Sequence, residues 1–394
     1  MKWASALTQS TRLSEALPEL ASQLAGLEEI DLLVAFVSPH FRERALELSG
    51  LLREEFGPKT LIGCTAAGVV GTRRELELEP GISLAAAHLP GVTRRVVAIK
   101  KEDLPSPDAG PGAWIERLGI PREPKPHFVI LSDPATSDPT SLLEGLDFAY
   151  PESTKIGGLA SDGTGTALFL DGQVLSGGTV LLGLSGNLEL EPIVAQGCRP
   201  IGPCFRVTSC KDNLLIELDG RRPTRVLEEI YEELAASDQE EFLQRTLHLG
   251  VAATGLLEEG VEPEYLIRNV LGADPRHGGL AIGARLRQGQ QVRFHLRDAE
   301  AAREDLSALL KRYSAAARPA PPAGALMFAC AGRGRHLFGE PNWDALAFAE
   351  AIDVPLAGFF CAGEIGPVGG STSLLGYTSS FGVFREAGAG PGLE

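Results

Sequence analysis

The sequence contains one arrangement three times, and this internal repeat constrains the fold more than any other feature. Each copy has an apolar strand, a loop, an amphipathic helix, a second apolar strand and a glycine-rich turn. The three copies occupy residues 32–68, 128–163 and 325–364. Short, continuous apolar strands joined by a helix are typical of parallel pairs in a sheet covered on both faces. The repeat therefore predicts three parallel strand pairs.

One helix is predicted in each copy, at residues 41–56, 141–148 and 343–351. In the first helix, apolar residues recur at steps of four, three and four, which puts them on one face. These residues are Phe41, Ala45, Leu48 and Leu52. Such a face predicts that the helix packs on the sheet.

Antiparallel hairpins are predicted to extend the repeated units, at residues 167–175, 280–296 and 373–384. The first turns at Asp171 and Gly172, a dipeptide that favours a two-residue turn. The second rests on alternating apolar and polar residues in 280–286 and 292–296. The predicted fold class is α/β, with mixed sheets of repeated strand–helix–strand units, antiparallel hairpins and two lobes. The boundary between the lobes is expected near residues 219–223.

Composition argues against several classes of partner. The 394 residues include 36 Lys and Arg against 52 Asp and Glu, which gives a net charge of −16. A chain this acidic is repelled by nucleic-acid phosphates and by anionic lipid. No apolar run reaches the roughly 18 residues that a membrane span needs, and no export signal follows the N-terminus. We therefore expect a cytoplasmic protein that neither binds nucleic acid nor inserts into membranes.

The six cysteines favour neither disulfides nor a metal site. Cys198, Cys204 and Cys210 recur every six residues, whereas zinc sites use cysteine pairs two to four residues apart and a fourth ligand. Cys64 and Cys361 end equivalent strands in the first and third copies, and we expect them to be reduced packing residues. A reactive thiol near an arginine is the alternative. No nucleotide-binding or catalytic motif is present, so neither a cofactor nor an enzyme activity is predicted.

The glycine-rich turns are the best candidates for a ligand site. All three follow strand ends, and ligands of open α/β sheets bind beyond the carboxyl ends of parallel strands. Small residues in these turns, among them Thr65, Ser161 and Gly363, allow a bound molecule to approach the backbone. The alternative is that the turns only connect buried strands tightly.

Charged residues near these turns narrow the class of ligand that is expected at this site. Arg333 and Arg335 follow the first strand of the third copy, and Glu364 follows the second, so their loops are expected to be neighbours. Arg199 is a further candidate cation. An arginine fork with a carboxylate nearby suits the two charged ends of a free amino acid. The alternative is an internal ion pair between Arg333 and Glu364.

Several of these stretches resemble signature segments of the FIST family. The resemblance rests on residues 63–68, 196–202, 270–298, 330–334 and 358–367. It covers most of the chain, which is similar to a FIST N-terminal domain at 31–222 and a FIST C-terminal domain at 223–385. A helical lead-in is expected at 1–30 and a flexible tail at 386–394. The kinase, output and F-box domains that accompany FIST domains in relatives are not recognised, which suggests a stand-alone copy.

The resemblance implies a non-enzymatic sensory module that binds a small polar metabolite, such as an amino acid, and signals through a protein partner. A protein-interaction scaffold and a cysteine-dependent enzyme are the alternatives. The family supplies no catalytic residues to carry over. The candidate ligand-binding residues are Thr65, Ser161, Arg199, Arg333, Arg335, Cys361, Gly363 and Glu364.

Overall fold

A computed structural model describes residues 1–163, 165–236, 239, 242, 247–253, 263–274 and 277–388. These residues form two compact units, and the first is assembled from separate parts of the chain. The first unit comprises Met1–Ala195, Leu306–Pro367 and the described residues from Thr372 onward. The second comprises the described residues of Gln196–Asp305, together with Val368–Ser371. The domain division at residues 222 and 223 stays a prediction about the sequence.

Eight α-helices lie within the described residues. They are α1 (Leu13–Leu24), α2 (Ala45–Phe56), α3 (Pro111–Leu118), α4 (Pro139–Ala149), α5 (Pro223–Glu233), α6 (Ala299–Ala315), α7 (Arg335–Phe338) and α8 (Trp343–Ala351). Two 3₁₀ helices cover Pro39–Arg44 and Lys101–Asp103. In this part of the chain, no helix has the length and apolar character needed to cross a membrane.

The strands are numbered in chain order. Those before the second unit are β1 (Lys2–Thr8), β2 (Leu32–Val37), β3 (Thr60–Thr65), β4 (Gly68–Gly71), β5 (Arg74–Glu77), β6 (Ile82–His88), β7 (Val92–Ile99), β8 (His127–Ser132), β9 (Lys155–Leu159), β10 (Leu168–Leu170), β11 (Gln173–Leu175), β12 (Thr179–Gly186) and β13 (Glu189–Ala195). The second unit contributes β14 (Cys198–Lys211), β15 (Leu214–Leu218), β16 (Leu247–Ala252), β17 (Tyr265–Ala273), β18 (Leu280–Ile282) and β19 (Gln291–Arg297). The last strands are β20 (Pro322–Cys330), β21 (Leu356–Cys361), β22 (Gly363–Val368), β23 (Ser371–Leu375) and β24 (Ser379–Arg385).

The three predicted strand–helix–strand units are confirmed. β2 pairs in parallel with β3, β8 with β9, and β20 with β21. The intervening helices are α2, α4 and α8. All six strands are mostly or wholly buried, which explains their continuous apolar sequences. The mixed α/β fold class is therefore confirmed as well.

Each repeated unit belongs to a different six-stranded sheet. The strand orders are β1-β6-β2-β3-β10-β11, β23-β22-β9-β8-β12-β7 and β13-β24-β20-β21-β4-β5. One face of every sheet contributes to a shared core, in which Phe36 lies 4.9 Å from Phe359 between ring centroids. The other faces are covered by helices: α1 and α2, α3 and α4, and α6 and α8, respectively. This common core places the ends of the three parallel pairs in one unit of the protein.

The second unit contains a closed six-stranded barrel. Its strand order is β14-β15-β18-β17-β16-β19. The predicted hairpin at 280–296 is therefore wrong, because β18 pairs with β15 and β17 whereas β19 pairs with β14 and β16. Alternation of apolar residues indicates which side of a strand is buried, but it does not identify the neighbouring strand.

The other predicted hairpins have different outcomes. β10 and β11 pair around Asp171 and Gly172, both of which have positive φ, so this hairpin is confirmed. The strand pair at 373–384 is wrong, because β23 and β24 lie in different sheets. The lead-in at 1–30 contains α1 as expected, but also β1, which pairs with β6. In the predicted tail, residues 389–394 lie outside the described residues.

Candidate functional site

The carboxyl ends of the parallel strands are joined by backbone hydrogen bonds. Ala331, directly after β20, donates its N–H to the Cys361 carbonyl at the end of β21, at 2.8 Å. Ala362 donates its N–H to the Leu159 carbonyl of β9, at 2.9 Å. The second and third copies therefore meet at their strand ends, as the sequence predicts.

Ser161 connects the turns of all three copies. Its hydroxyl accepts a hydrogen bond from the Ala67 N–H at 2.9 Å and donates one to the Phe360 carbonyl. Ala67 belongs to the turn of the first copy and Phe360 to β21 of the third, whereas Ser161 follows β9 of the second. A single short side chain thus fixes the spacing of three sequence-distant segments.

An open cleft of about 620 Å³ lies at these strand ends, within the first unit. It is lined by Ala67, Gly68, Glu77, Leu78, Glu79, Ala331, Arg335, His336 and Phe360. Small and apolar residues come from the strand ends, whereas the charged residues come from β5, the segment after it, and α7. A cleft of this volume accommodates a small molecule and offers it both an apolar surface and charges of either sign.

Three glutamates alternate along β5 and its continuation. Glu75 is buried, and its two carboxylate oxygens accept the backbone N–H groups of Asn342 and Ala345 at 3.0 and 2.9 Å. It therefore caps the first turn of α8. Burial, with the nearby Asp344 carboxylate, raises the pKa of Glu75 to about 8. β5 thus fixes the position of a helix of the third copy.

Glu77 holds the loop that follows β20. The Arg335 N–H donates to both carboxylate oxygens of Glu77, at 3.0 and 3.1 Å. Gly334 precedes this N–H with a φ of 59°, and a Cβ there would overlap the Glu77 carboxylate. Glycine is required here for its conformation and for this close approach. Burial raises the pKa of Glu77.

Arg333 forms an internal ion pair instead of lining the cleft. Its side chain is 0% exposed, and Nε and Nη2 lie 2.6 and 2.8 Å from the two carboxylate oxygens of Asp344. Burial lowers the pKa of Arg333, but the Asp344 charge outweighs this effect and raises it. The alternative partner considered from the sequence, Glu364, is near enough to interact electrostatically. Arg333 therefore forms an internal ion pair, which the sequence left open as the alternative, but its partner is Asp344 instead of Glu364.

Glu364, Thr65 and Gly363 are also buried within the first unit. Glu364 accepts hydrogen bonds from the Thr378 hydroxyl and N–H at 2.7 and 3.1 Å. The Thr65 hydroxyl accepts the Ala167 N–H at 3.0 Å. Gly363 pairs with Leu159 between β22 and β9. These residues support the strand ends from within the core, and they are not among the residues that line the cleft.

Arg199 lies in the second unit. Its Nε is 3.1 Å from one carboxylate oxygen of Asp298, and the other carboxylate oxygen accepts the N–H groups of Glu300 and Ala301 at the start of α6. Of the charged candidate residues, only Arg335 lines the cleft.

Cys64 and Cys361 have the surroundings of packing residues. Both are fully buried in the shared core. Burial raises the pKa of each thiol, and the nearby Asp162 and Glu364 carboxylates act in the same direction. This environment supports the packing role over the reactive one. Within the described ranges, no group of three or more His, Cys, Asp or Glu side chains is arranged to hold a metal ion.

The glutamates of β5 and their partner loop were not predicted from the sequence. A signal was present: Glu75, Glu77 and Glu79 alternate with leucines, which puts three carboxylates on one side of a strand. Their significance depends on β4, which pairs with β21 and so brings β5 to the third copy. Nothing local in the sequence indicates this long-range pairing.

Comparisons with known proteins identify the family. An uncharacterized protein of Mycobacterium tuberculosis (strain H37Rv) is 36% identical over 378 residues, which covers 95% of this chain and 96% of the relative. An uncharacterized protein of Mycobacterium bovis is 35% identical over 377 residues, covering 94% and 95%. The crystal structure of a cyanuric acid hydrolase from A. caulinodans is 11% identical, with a TM-score of 0.34 over 98% of this chain and 99% of that one. This weak likeness carries no argument about function.

Two regions of the chain match the domains that define the family. Residues 31–221 match the FIST N domain, and residues 228–367 match the FIST C domain. Together they include most of the sequence. All three repeated units lie within them, since the first copy begins at residue 32 and the third ends at residue 364. The chain therefore belongs to the FIST family.

Proposed function

We propose that this protein is a sensor whose cleft binds a small polar metabolite, an amino acid being the leading candidate, and that a protein partner receives the signal. FIST domains are sensory domains, which supports a ligand-binding role. The observation that carries the proposal is the cleft of about 620 Å³ at the strand ends. Its position agrees with the general location of ligand sites in α/β folds.

The charges of the cleft support an amino-acid ligand. Arg335 supplies a guanidinium group for a carboxylate, whereas Glu77 and Glu79 supply carboxylates for an ammonium group. Phe360 and Ala331 provide an apolar surface for a side chain. Among the predicted residues, we retain Arg335 as a ligand contact and Ser161 as a residue that positions the cleft.

The two alternative functions receive less support. A cysteine nucleophile would need an accessible thiol with a lowered pKa, whereas Cys64 and Cys361 are buried with raised pKa values. A scaffold would be favoured by a large exposed apolar surface without a pocket. The cleft favours ligand binding over both, and we propose no catalytic step.

A thermal-shift screen against amino acids and central metabolites tests this function. A ligand that binds only the folded protein raises the melting temperature, and at 100 times Kd it stabilises by about 2.7 kcal/mol. Ala331→Phe fills the cleft and is expected to abolish the shift. Ala316→Phe, at an exposed position away from the cleft lining, is the matched control and keeps it. The proposal fails if no compound shifts the wild type, or if Ala331→Phe responds normally.

A further inference from the structure

The lining of the cleft carries more negative than positive charge. Glu77 and Glu79 face a single arginine, Arg335, whose Nη2 lies 4.0 Å from a Glu79 oxygen. Glu77 receives its hydrogen bonds from a backbone N–H, which is a neutral donor. No ion pair of Glu77 with a Lys, Arg or His side chain occurs among the described residues. The cleft wall therefore places two carboxylates beside one arginine, which leaves an excess of negative charge.

The charges behind this wall do not compensate it either. Arg333 is bound by Asp344 through both of its carboxylate oxygens, so this pair is neutral overall. Glu75 is occupied in capping α8, and its pKa of about 8 leaves it mostly protonated at neutral pH. The excess of negative charge on the cleft wall thus remains. At Glu77, burial and the nearby carboxylates outweigh the opposing effect of Arg335 and raise the pKa. A cation bound there would favour the ionised form and lower this pKa.

An apolar residue stands beside this carboxylate. Leu78 lines the cleft with 88% of its surface exposed, and its backbone has a φ of 58°. A left-handed conformation is unfavourable for leucine, so the exposed side chain is held there at a cost. The residue that follows the end of β5 thus offers the apolar surface that the hydrocarbon chain of a ligand needs.

We propose that the cleft selects ligands in which an aliphatic chain ends in an ammonium group, with the ammonium at Glu77 and the chain against Leu78. This inference rests on the proposed function and narrows it from amino acids in general to those with a cationic side chain. Both charged ends of an amino acid remain free to use Arg335 and Glu79.

Isothermal titration with L-lysine and L-norleucine tests the inference. Both probes have the same α-amino acid group and four-carbon side chain, and only lysine carries the terminal ammonium. Wild-type protein is expected to bind lysine at least about tenfold more tightly, because tenfold in Kd corresponds to about 1.4 kcal/mol and a hydrogen bond to a charged group is worth at least that much. Glu77→Gln keeps an oxygen that accepts the Arg335 N–H, and it is expected to raise the lysine Kd about tenfold more than the norleucine Kd, so that the preference for lysine is lost.

Two further variants separate charge from apolar contact. Leu78→Asn introduces a residue that tolerates a left-handed conformation, and it is expected to raise the Kd of both probes by about fivefold. Glu54→Gln, at an exposed position of α2, is the charge-matched control and leaves both Kd values unchanged. Far-ultraviolet circular dichroism and the melting temperature establish that each variant is folded.

The outcomes distinguish the two proposals. Norleucine binding as tightly as lysine, or a lysine preference that survives Glu77→Gln, overturns the cationic selectivity and leaves the amino-acid sensor intact. Absence of binding by both probes also overturns the selectivity. The sensor proposal falls only if the wider screen of amino acids and metabolites gives no binding as well.

Discussion

The first and third repeated units have the same strand–helix–strand order but turns of opposite character. At the end of β3 and the start of β4, Thr65 and Gly68 are small and uncharged. The loop after β20 carries Arg333 and the start of β22 carries Glu364, both 0% exposed. The first copy contributes small residues to the lining of the cleft, whereas the third contributes the charged Arg335. Copies of one strand–helix–strand arrangement can therefore contribute different types of residue to the same cleft.

The charged turn also needs help from outside its own copy. Glu75 and Glu77 come from the hairpin that follows the first copy, and they bond to the N–H groups of Ala345 and Arg335. The uncharged turn relies instead on hydroxyl groups, those of Thr65 and Ser161. Removing one partner of a buried ion pair is strongly destabilising, because the other charge is left buried and unpaired. Substitutions in the charged turn should therefore lower the stability more than substitutions in the uncharged turn.

The largest effect is expected from Arg333→Met. The substitution leaves Asp344 buried without its bidentate partner, and the free energy of unfolding should fall by about 3–5 kcal/mol. Urea denaturation measures this loss. The double variant Arg333→Met, Asp344→Leu should recover much of it, because the buried Asp344 carboxylate is then removed together with its partner.

An exposed ion pair provides the control for this variant. Arg12 and Glu15 form an i,i+3 pair on the surface, and Arg12→Met should cost less than about 1 kcal/mol. A similarly small loss for Arg333→Met would mean that the charge of the third turn is not structural.

A pH dependence is expected from Glu75. Its folded-state pKa of about 8 lies above the ordinary value of 4.5, so the folded protein binds the proton more tightly than the unfolded chain. This contribution to stability is complete below pH 4.5 and is lost as the pH rises through about 8. Each pH unit within this window should lower the free energy of unfolding by up to about 1.4 kcal/mol.

Denaturation of wild type and Glu75→Gln between pH 5 and pH 9 measures the Glu75 contribution. The variant should show a flatter decline, whereas Glu54→Gln should follow the wild type. Parallel curves for wild type and Glu75→Gln would show that Glu75 ionises equally in both states.

A smaller loss of stability is expected at Ser161, where the turns of the three copies meet. Ser161→Ala removes the hydroxyl that accepts from Ala67 and donates to the Phe360 carbonyl, and the loss should be about 1–3 kcal/mol. Ser22→Ala, which removes an exposed hydroxyl bonded to a carbonyl within α1, should stay within about 0.5 kcal/mol. Equal effects of the two substitutions would contradict the role of Ser161 in joining the copies.

The smallest difference between the first and third copies is expected in the alkylation rates of Cys64 and Cys361, which end equivalent strands. Both thiols are buried, so alkylation of the native protein at neutral pH should be slow at each and rapid only after denaturation. Cys204 is exposed and serves as the internal reference for fast labelling. Rapid native labelling of Cys361 would overturn the packing role and would make the third copy chemically distinct from the first.

Much of the first unit was predictable because its strands are buried on both faces. Runs such as residues 32–37 and 128–131 have no polar side to satisfy, so their apolar sequences identify them directly. The meeting of strand ends followed from the parallel pairing. The barrel strands at 280–282 and 291–297 were recognised, but their partners were not, because alternation carries no information about neighbours.

The candidate site was predictable in its place and only partly in its residues. Arg335 was identified because it follows a strand end, whereas Arg333, two residues earlier, turns into the core to meet Asp344. The sequence offers several carboxylates near each arginine, and only packing decides which of them pairs. Glu77 reaches the site through strand pairing between segments almost 300 residues apart in the chain, since Val69 of β4 is the partner of Phe359 of β21.

The position of β24 has a consequence for biosynthesis. This strand, Ser379–Arg385, lies between β13 and β20 in the interior of its sheet, although it follows both of them in the chain. The sheet that supports the loop after β20 therefore cannot be completed until β24 has been synthesised. Until then, the edges of β13 and β20 are available for incorrect pairing. Chains that have not yet added β24 are consequently the species in which mispairing of this sheet is expected.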